Sequence, residues 1–171
     1  MFLFACVFNV KREIKNVNKP VFFAYFLFSV VLMGIFHIVG GRASVYYCLR
    51  LPLLAVSRLG MVLLVWCFCI LCSLSASLYV NRFCKVGIVR KIKVNLWYVS
   101  YMILCGLWYP TFFAWRREAS ALFILFWAMI IGFITVKVFS KKCFAAAILM
   151  LAAQMIIIYM FFLQLCINIL N

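Results

Sequence analysis

The sequence predicts an all-α membrane protein, a bundle of five transmembrane helices with a long first loop. Three observations carry that expectation. Of the 171 residues, 71% are hydrophobic, against roughly 45–50% in soluble domains. Only two side chains, Glu13 and Glu118, are acidic. Five stretches contain no Asp, Glu, Lys or Arg, and each is about long enough to cross a hydrocarbon core of about 30 Å at about 1.5 Å per residue. A charge at a helix centre costs roughly 2.5–3.5 kcal/mol on insertion, so clearing it from all five reads as selection by lipid.

Taken in order, MFLFACVFNV at residues 1–10 looks like the apolar part of a signal peptide, but its charges follow it in KREIKNVNK and no small-residue cleavage site appears. That order is wrong for a signal peptide, so an interfacial segment is expected. The first crossing helix is expected at Val21–Val39. Gly40–Arg58, GGRASVYYCLRLPLLAVSR, holds a Gly-Gly stop, a Tyr pair and a proline, and reads as a loop that lies on the membrane or caps the bundle. Helices are then expected at Leu59–Val80, Val94–Trp115, Ala119–Val136 and Cys143–Leu170, in one domain spanning 1–171.

The net charge of +15 raises nucleic acid as a partner, but the cations flank the apolar stretches. In a five-helix arrangement Lys11, Arg12, Lys15, Lys19, Arg82, Lys85, Arg90, Lys91, Lys93, Lys137, Lys141 and Lys142 share one side, and Arg42, Arg50, Arg58, Arg116 and Arg117 the other. That excess places the N-terminus in the cytoplasm and Asn171 outside, with the lipid bilayer rather than nucleic acid as the partner.

Small residues, Ser73, Ser75, Ala76 and Ser77 in the second helix and Ala145, Ala146, Ala147, Ala152 and Ala153 in the fifth, allow backbones to approach closely and permit a homodimer. Polar groups at membrane depth are His37, Tyr101, Gln154, Tyr159, Gln164 and Asn168; each serves either function or an interhelical hydrogen bond, and the bond is the more ordinary role. Cys67, Cys69 and Cys72 form C-x-C-x-x-C, with no neighbouring base or cation to hold thiolates, so they read as packing residues rather than metal ligands. In the third helix Tyr98, Tyr101, Cys105, Trp108 and Phe112 fall at intervals of three and four, one face that either lines a flat apolar pocket or forms core. With one His, no Asp and no P-loop or dinucleotide fingerprint, no catalytic set emerges and an enzyme is not expected.

These pieces resemble the TspO/MBR family of translocator proteins, also called peripheral benzodiazepine receptors or tryptophan-rich sensory proteins. Against the first-loop pattern WYxxLxxP, VYYCLRLP keeps Tyr46, Leu49 and Pro52. Against YxxQLxLNxxWxPxFF, YVSYMILCGLWYPTFF keeps Tyr98, Leu104, Trp108, Pro110, Phe112 and Phe113. Phe126-Trp127 is similar to a fourth-helix Leu-Trp, and the last helix keeps Ala146, Ala147, Leu149, Leu163, Ile167, Leu170 and Asn171. The chain departs where LAVSRL and MVLLV replace WxPPxW and FGPVW, and where Tyr101 and Cys105 replace Gln and Asn. Nothing basic follows Tyr159, so the weak pattern proposed for cholesterol contact is missing.

The resemblance implies a pocket under the first loop that takes flat apolar molecules such as porphyrins and, in some members, sterols. Ligand contacts would come from Tyr46, Leu49, Pro52, Tyr98, Trp108, Phe112, Phe113 and Leu163. No permanent cofactor or metal is expected; porphyrin or haem enters as ligand, its carboxylates near Arg42, Arg50 or Arg58. Such a protein would serve transport, sensing or regulation. Two other readings stay open: a small transporter, and a structural or interaction subunit that has lost the ancestral ligand.

Overall fold

A computed structural model describes residues 17–40, 58–82 and 88–170. Among them the regular structure is five helices: α1 (Lys19–Gly40), α2 (Arg58–Arg82), α3 (Ile88–Phe113), α4 (Glu118–Ser140) and α5 (Phe144–Leu170). α1, α2 and α4 each contain the expected apolar stretch, whereas α3 stops short of Trp115 and α5 begins one residue after Cys143. The N-terminal segment and the first loop, with Tyr46, Leu49 and Pro52, lie outside the described residues, as does Asn171.

The helices close into a ring. α1 packs on α2 and α3, α2 on α5, α5 on α4, and α4 on α3. α1 is the least enclosed member, with only Ser29 and Gly40 buried. α5 buries a face that runs from Ala145 to Ile167.

Among the described residues four helices, α1, α2, α4 and α5, are long and apolar enough to cross a membrane. α3 is not among them: Asn95, Trp97, Tyr98, Ser100, Tyr101, Trp108, Tyr109, Pro110 and Thr111 dilute its apolar character. Outward faces elsewhere are apolar and exposed, as at Phe23, Ile38, Phe123 and Phe162, which is the arrangement lipid contact requires.

Small residues line the seam between α2 and α5. Ser75 Oγ donates to the Ala146 carbonyl at 2.6 Å across α2 and α5, with Ala145, Ala146, Ala147 and Ala153 buried. Most of the small-residue surface that permitted a homodimer is therefore used inside the bundle; Ala152 alone of the named alanines stays exposed.

α3 ends at Phe113, two residues short of the expected Trp115, in a wide turn. The Pro110 carbonyl accepts from the amides of Ala114 (2.9 Å) and Trp115 (3.1 Å), and Thr111 O accepts from Arg117 at 3.2 Å. Arg116 takes φ 50°, the left-handed conformation common after helix ends. α4 then starts with Glu118 in its first turn and carries Lys137 in its last, both signs matching the helix dipole.

Candidate ligand cavity

A half-open cavity of about 670 Å³ lies toward the end where α1 finishes, α2 starts and α3 finishes, with the exposed side chains of Ile38, Val62 and Trp66 at its mouth. That volume falls within the roughly 300–1,000 Å³ of small-molecule sites. Met33, Phe36 and His37 come from α1; Met61, Trp66, Phe68 and Cys69 from α2; Cys105, Trp108, Tyr109 and Phe113 from α3. Leu125 of α4 and Ile156, Ile157 and Met160 of α5 complete the far wall.

The α3 wall is held in place by ring packing and by one amide. Trp108 stacks on Phe112 at 5.6 Å and 9°, and meets Phe113 edge-on at 6.0 Å. Its Nε1 donates to Gln164 Oε1 at 3.1 Å, and Gln164 Nε2 donates to Asn168 Oδ1 at 2.9 Å. The indole N–H, costly if left unpaired in an apolar interior, is thereby satisfied and its ring plane fixed.

α1 is fitted to α3 by two glycines. A Cβ on Gly106 would overlap the Phe36 ring, and one on Gly40 would overlap the Tyr109 ring. His37 stacks on Tyr109 at 4.7 Å and 26°, at the rim of the cavity.

Deeper along the bundle, Phe68 leans on Tyr101 at 5.8 Å. Tyr101 donates its hydroxyl to Gln154 Oε1 at 2.9 Å, and Gln154 Nε2 donates to the Met129 carbonyl at 3.1 Å. One amide thus ties α3, α4 and α5. Gly132 makes room for it, because a Cβ there would overlap Gln154 Oε1. A second cluster lies between α1, α2 and α3: Ser29 Oγ is 2.6 Å from Tyr98 Oη and 3.1 Å from Ser73 Oγ, and Tyr25 Oη donates to Asn95 Oδ1 at 2.5 Å.

The residues expected at the site separate accordingly. Trp108 and Phe113 line the cavity. Phe112 supports Trp108 from behind. Tyr98 borders a smaller cleft of about 260 Å³ with Tyr25, Phe28 and Asn95, and Leu163 is buried in the core. Of the shared α3 face, Cys105 and Trp108 reach the cavity, while Tyr98, Tyr101 and Phe112 are core. The face is thus both pocket wall and core, divided by depth.

Sequence reasoning did not single out Met33, Phe36, Met61, Trp66, Phe68, Tyr109 and Met160. Their helical spacing was available, Met33 to His37 and Tyr109 to Phe113 each being four apart, but nothing in the sequence says which faces meet. Ser29 was also missed; a lone serine in an apolar run gives no sign of its partners.

Cys67 is exposed, and Cys69 and Cys72 are buried. Among the described residues no three His, Cys, Asp or Glu side chains converge in a way that could hold a metal ion.

Compared with protein-family models and with curated proteins, the chain matches none.

Proposed function

We propose that this chain is a five-helix integral membrane protein that binds a flat apolar ligand in the bundle cavity, in the manner of the translocator family it resembles. Porphyrins and sterols are the ligand classes that the resemblance supplies, with a role in transport, sensing or regulation. The N-terminus is cytoplasmic and α3 completes the fifth crossing as a member of the ring, with Tyr98, Tyr101 and Thr111 buried against protein.

The observation that carries this reading is the fixed aromatic wall. Trp108 is buried, stacked on Phe112 and hydrogen-bonded to Gln164, yet still borders an apolar cavity of about 670 Å³. A preorganised indole face gives a planar ligand contact area without the cost of ordering a loose side chain. Binding is favoured over ion or polar-solute transport because Tyr101, Gln154, Gln164 and Ser29 pair with other protein groups, whereas a polar path needs such groups facing an aqueous route.

The test is tryptophan fluorescence of the purified full chain titrated with a panel of porphyrins, haem and sterols. Saturable quenching that Trp108→Leu abolishes supports the site. Saturable quenching that Trp108→Leu leaves intact removes Trp108 from it, and a panel that produces no signal argues for the structural-subunit reading.

A further inference from the structure

We propose that the end of the bundle where α4 turns into α5 is a binding surface for anionic lipid headgroups. This rests on the membrane reading above and is independent of the ligand cavity.

The fold places cationic positions from α1, α2, α3 and α4 at that end. α1 begins at Lys19, α2 ends at Arg82, and the first two turns of α3 hold Arg90, Lys91 and Lys93. Lys137 lies in the last turn of α4, and Lys141 and Lys142 follow it in the turn to α5. Contacts between helices fix these ends side by side. Tyr25 Oη donates to Asn95 Oδ1 at 2.5 Å between α1 and α3, Tyr79 stacks on Phe139 at 4.5 Å between α2 and α4, and Ser75 bonds to Ala146 between α2 and α5.

The α4–α5 turn is a fixed platform. The Phe139 carbonyl accepts from the amides of Lys142 (3.1 Å) and Cys143 (2.9 Å), and Ser140 Oγ donates to the Lys137 carbonyl at 3.0 Å. Phe139 and Cys143 are buried, whereas Lys137, Lys141 and Lys142 are exposed.

The chain supplies almost nothing to neutralise these charges. Its acidic side chains are Glu13 and Glu118 alone. Glu118 opens α4 beside Arg116 and Arg117, at the opposite end. The helix separates it from the lysine turn by roughly 30 Å, several Debye lengths of about 8 Å. Glu13, outside the described residues, is one carboxylate against the whole set. The cationic positions are spread around the ring rather than confined to one helix, which suits small anions that surround the bundle. For a membrane-spanning chain those anions are the phosphate groups of acidic lipids, which attract basic residues at the bilayer surface.

The experiment compares spin-labelled phosphatidylglycerol with spin-labelled phosphatidylcholine of identical chains, as probes for the full chain in phosphatidylcholine vesicles. The motionally restricted fraction of each label gives the relative association. At low salt the expected preference for phosphatidylglycerol is at least about threefold, falling toward parity in concentrated salt. Combining Lys137→Gln, Lys141→Gln and Lys142→Gln should remove about half of that preference or more. The matching Lys→Arg set should retain it, and Arg116→Gln with Arg117→Gln should leave it unchanged; thermal unfolding of each variant confirms the fold. Parity in the parent chain, or an equal loss in the Arg116 and Arg117 variant, overturns the inference. So does displacement of the lipid at constant ionic strength by inorganic phosphate or polyglutamate, which would assign the surface to a soluble anion or an acidic protein. None of these outcomes bears on membrane insertion or on the cavity.

Discussion

Gln154 reaches from α5 into the space left by the missing side chain of Gly132 on α4, so a Cβ at position 132 would overlap its Oε1. The same amide accepts from Tyr101 and donates to the Met129 carbonyl. One glycine therefore admits the group that ties three helices together.

Gly132→Ala should destabilise the protein by about 1–3 kcal/mol through overpacking and loss of the amide bridge. Gln154→Ala removes the obstacle, so the double variant should be less destabilised than the sum of the singles. Gly34→Ala is the control. Nothing lies within 4 Å of a Cβ there, and it should be neutral or gain up to about 1 kcal/mol from helix propensity. Thermal unfolding in one detergent measures all four; strict additivity of Gly132→Ala and Gln154→Ala would refute the bridge.

Gln164→Leu strips Trp108 of its acceptor. The expected cost is about 1 kcal/mol for the lost bond, rising toward 3 because the indole N–H stays buried. Emission from Trp108 should shift relative to the parent once other tryptophans are subtracted with Trp108→Leu. An unchanged spectrum and melting temperature would mean that this hydrogen bond does not position the ring.

At the α1–α2–α3 junction, Ser29 Oγ contacts both Ser73 and Tyr98. Interhelical bonds of this kind average about 0.6 kcal/mol in membranes, with a maximum near 1.7. Tyr98→Phe is expected in that range. Combined with Ser29→Ala it should cost less than the sum, since both remove the same contact; chemical denaturation of the four species reads the coupling.

The α2–α5 seam has no room for growth. Ala146→Leu should lower the melting temperature by several degrees, because Ala146 is fully buried and its carbonyl receives Ser75. Ala152→Leu, on an exposed face of the same helix, should leave it nearly unchanged. Equal effects would place the seam elsewhere.

Five crossings and four crossings end on opposite sides. A reporter fused after Asn171 should be active outside, opposite to one fused before Met1. Activity of both on the cytoplasmic side would show that α3 does not cross.

Helix number and approximate ends were legible in the sequence because they depend on local facts: uninterrupted apolar length, charges at the borders, and turn residues such as Arg116 and Arg117 between α3 and α4. The polar groups at depth were legible as a set, and Tyr101, Gln154 and Gln164 do form interhelical bonds. Their pairing was not, because every long apolar helix offers several faces of similar hydrophobicity. Tyr98 and Trp108 share one stripe of α3 in sequence, yet one borders a small cleft and the other a large apolar cavity, according to what α1 and α5 present at each depth. The sequence by itself determined the five helices among the described residues and that their outer faces suit lipid. Only the tertiary structure decided the order of the ring, the half-open cavity at one end of it and the placement of His37 at the cavity's rim, since side chains that meet across helices are chosen by packing between residues far apart in the chain.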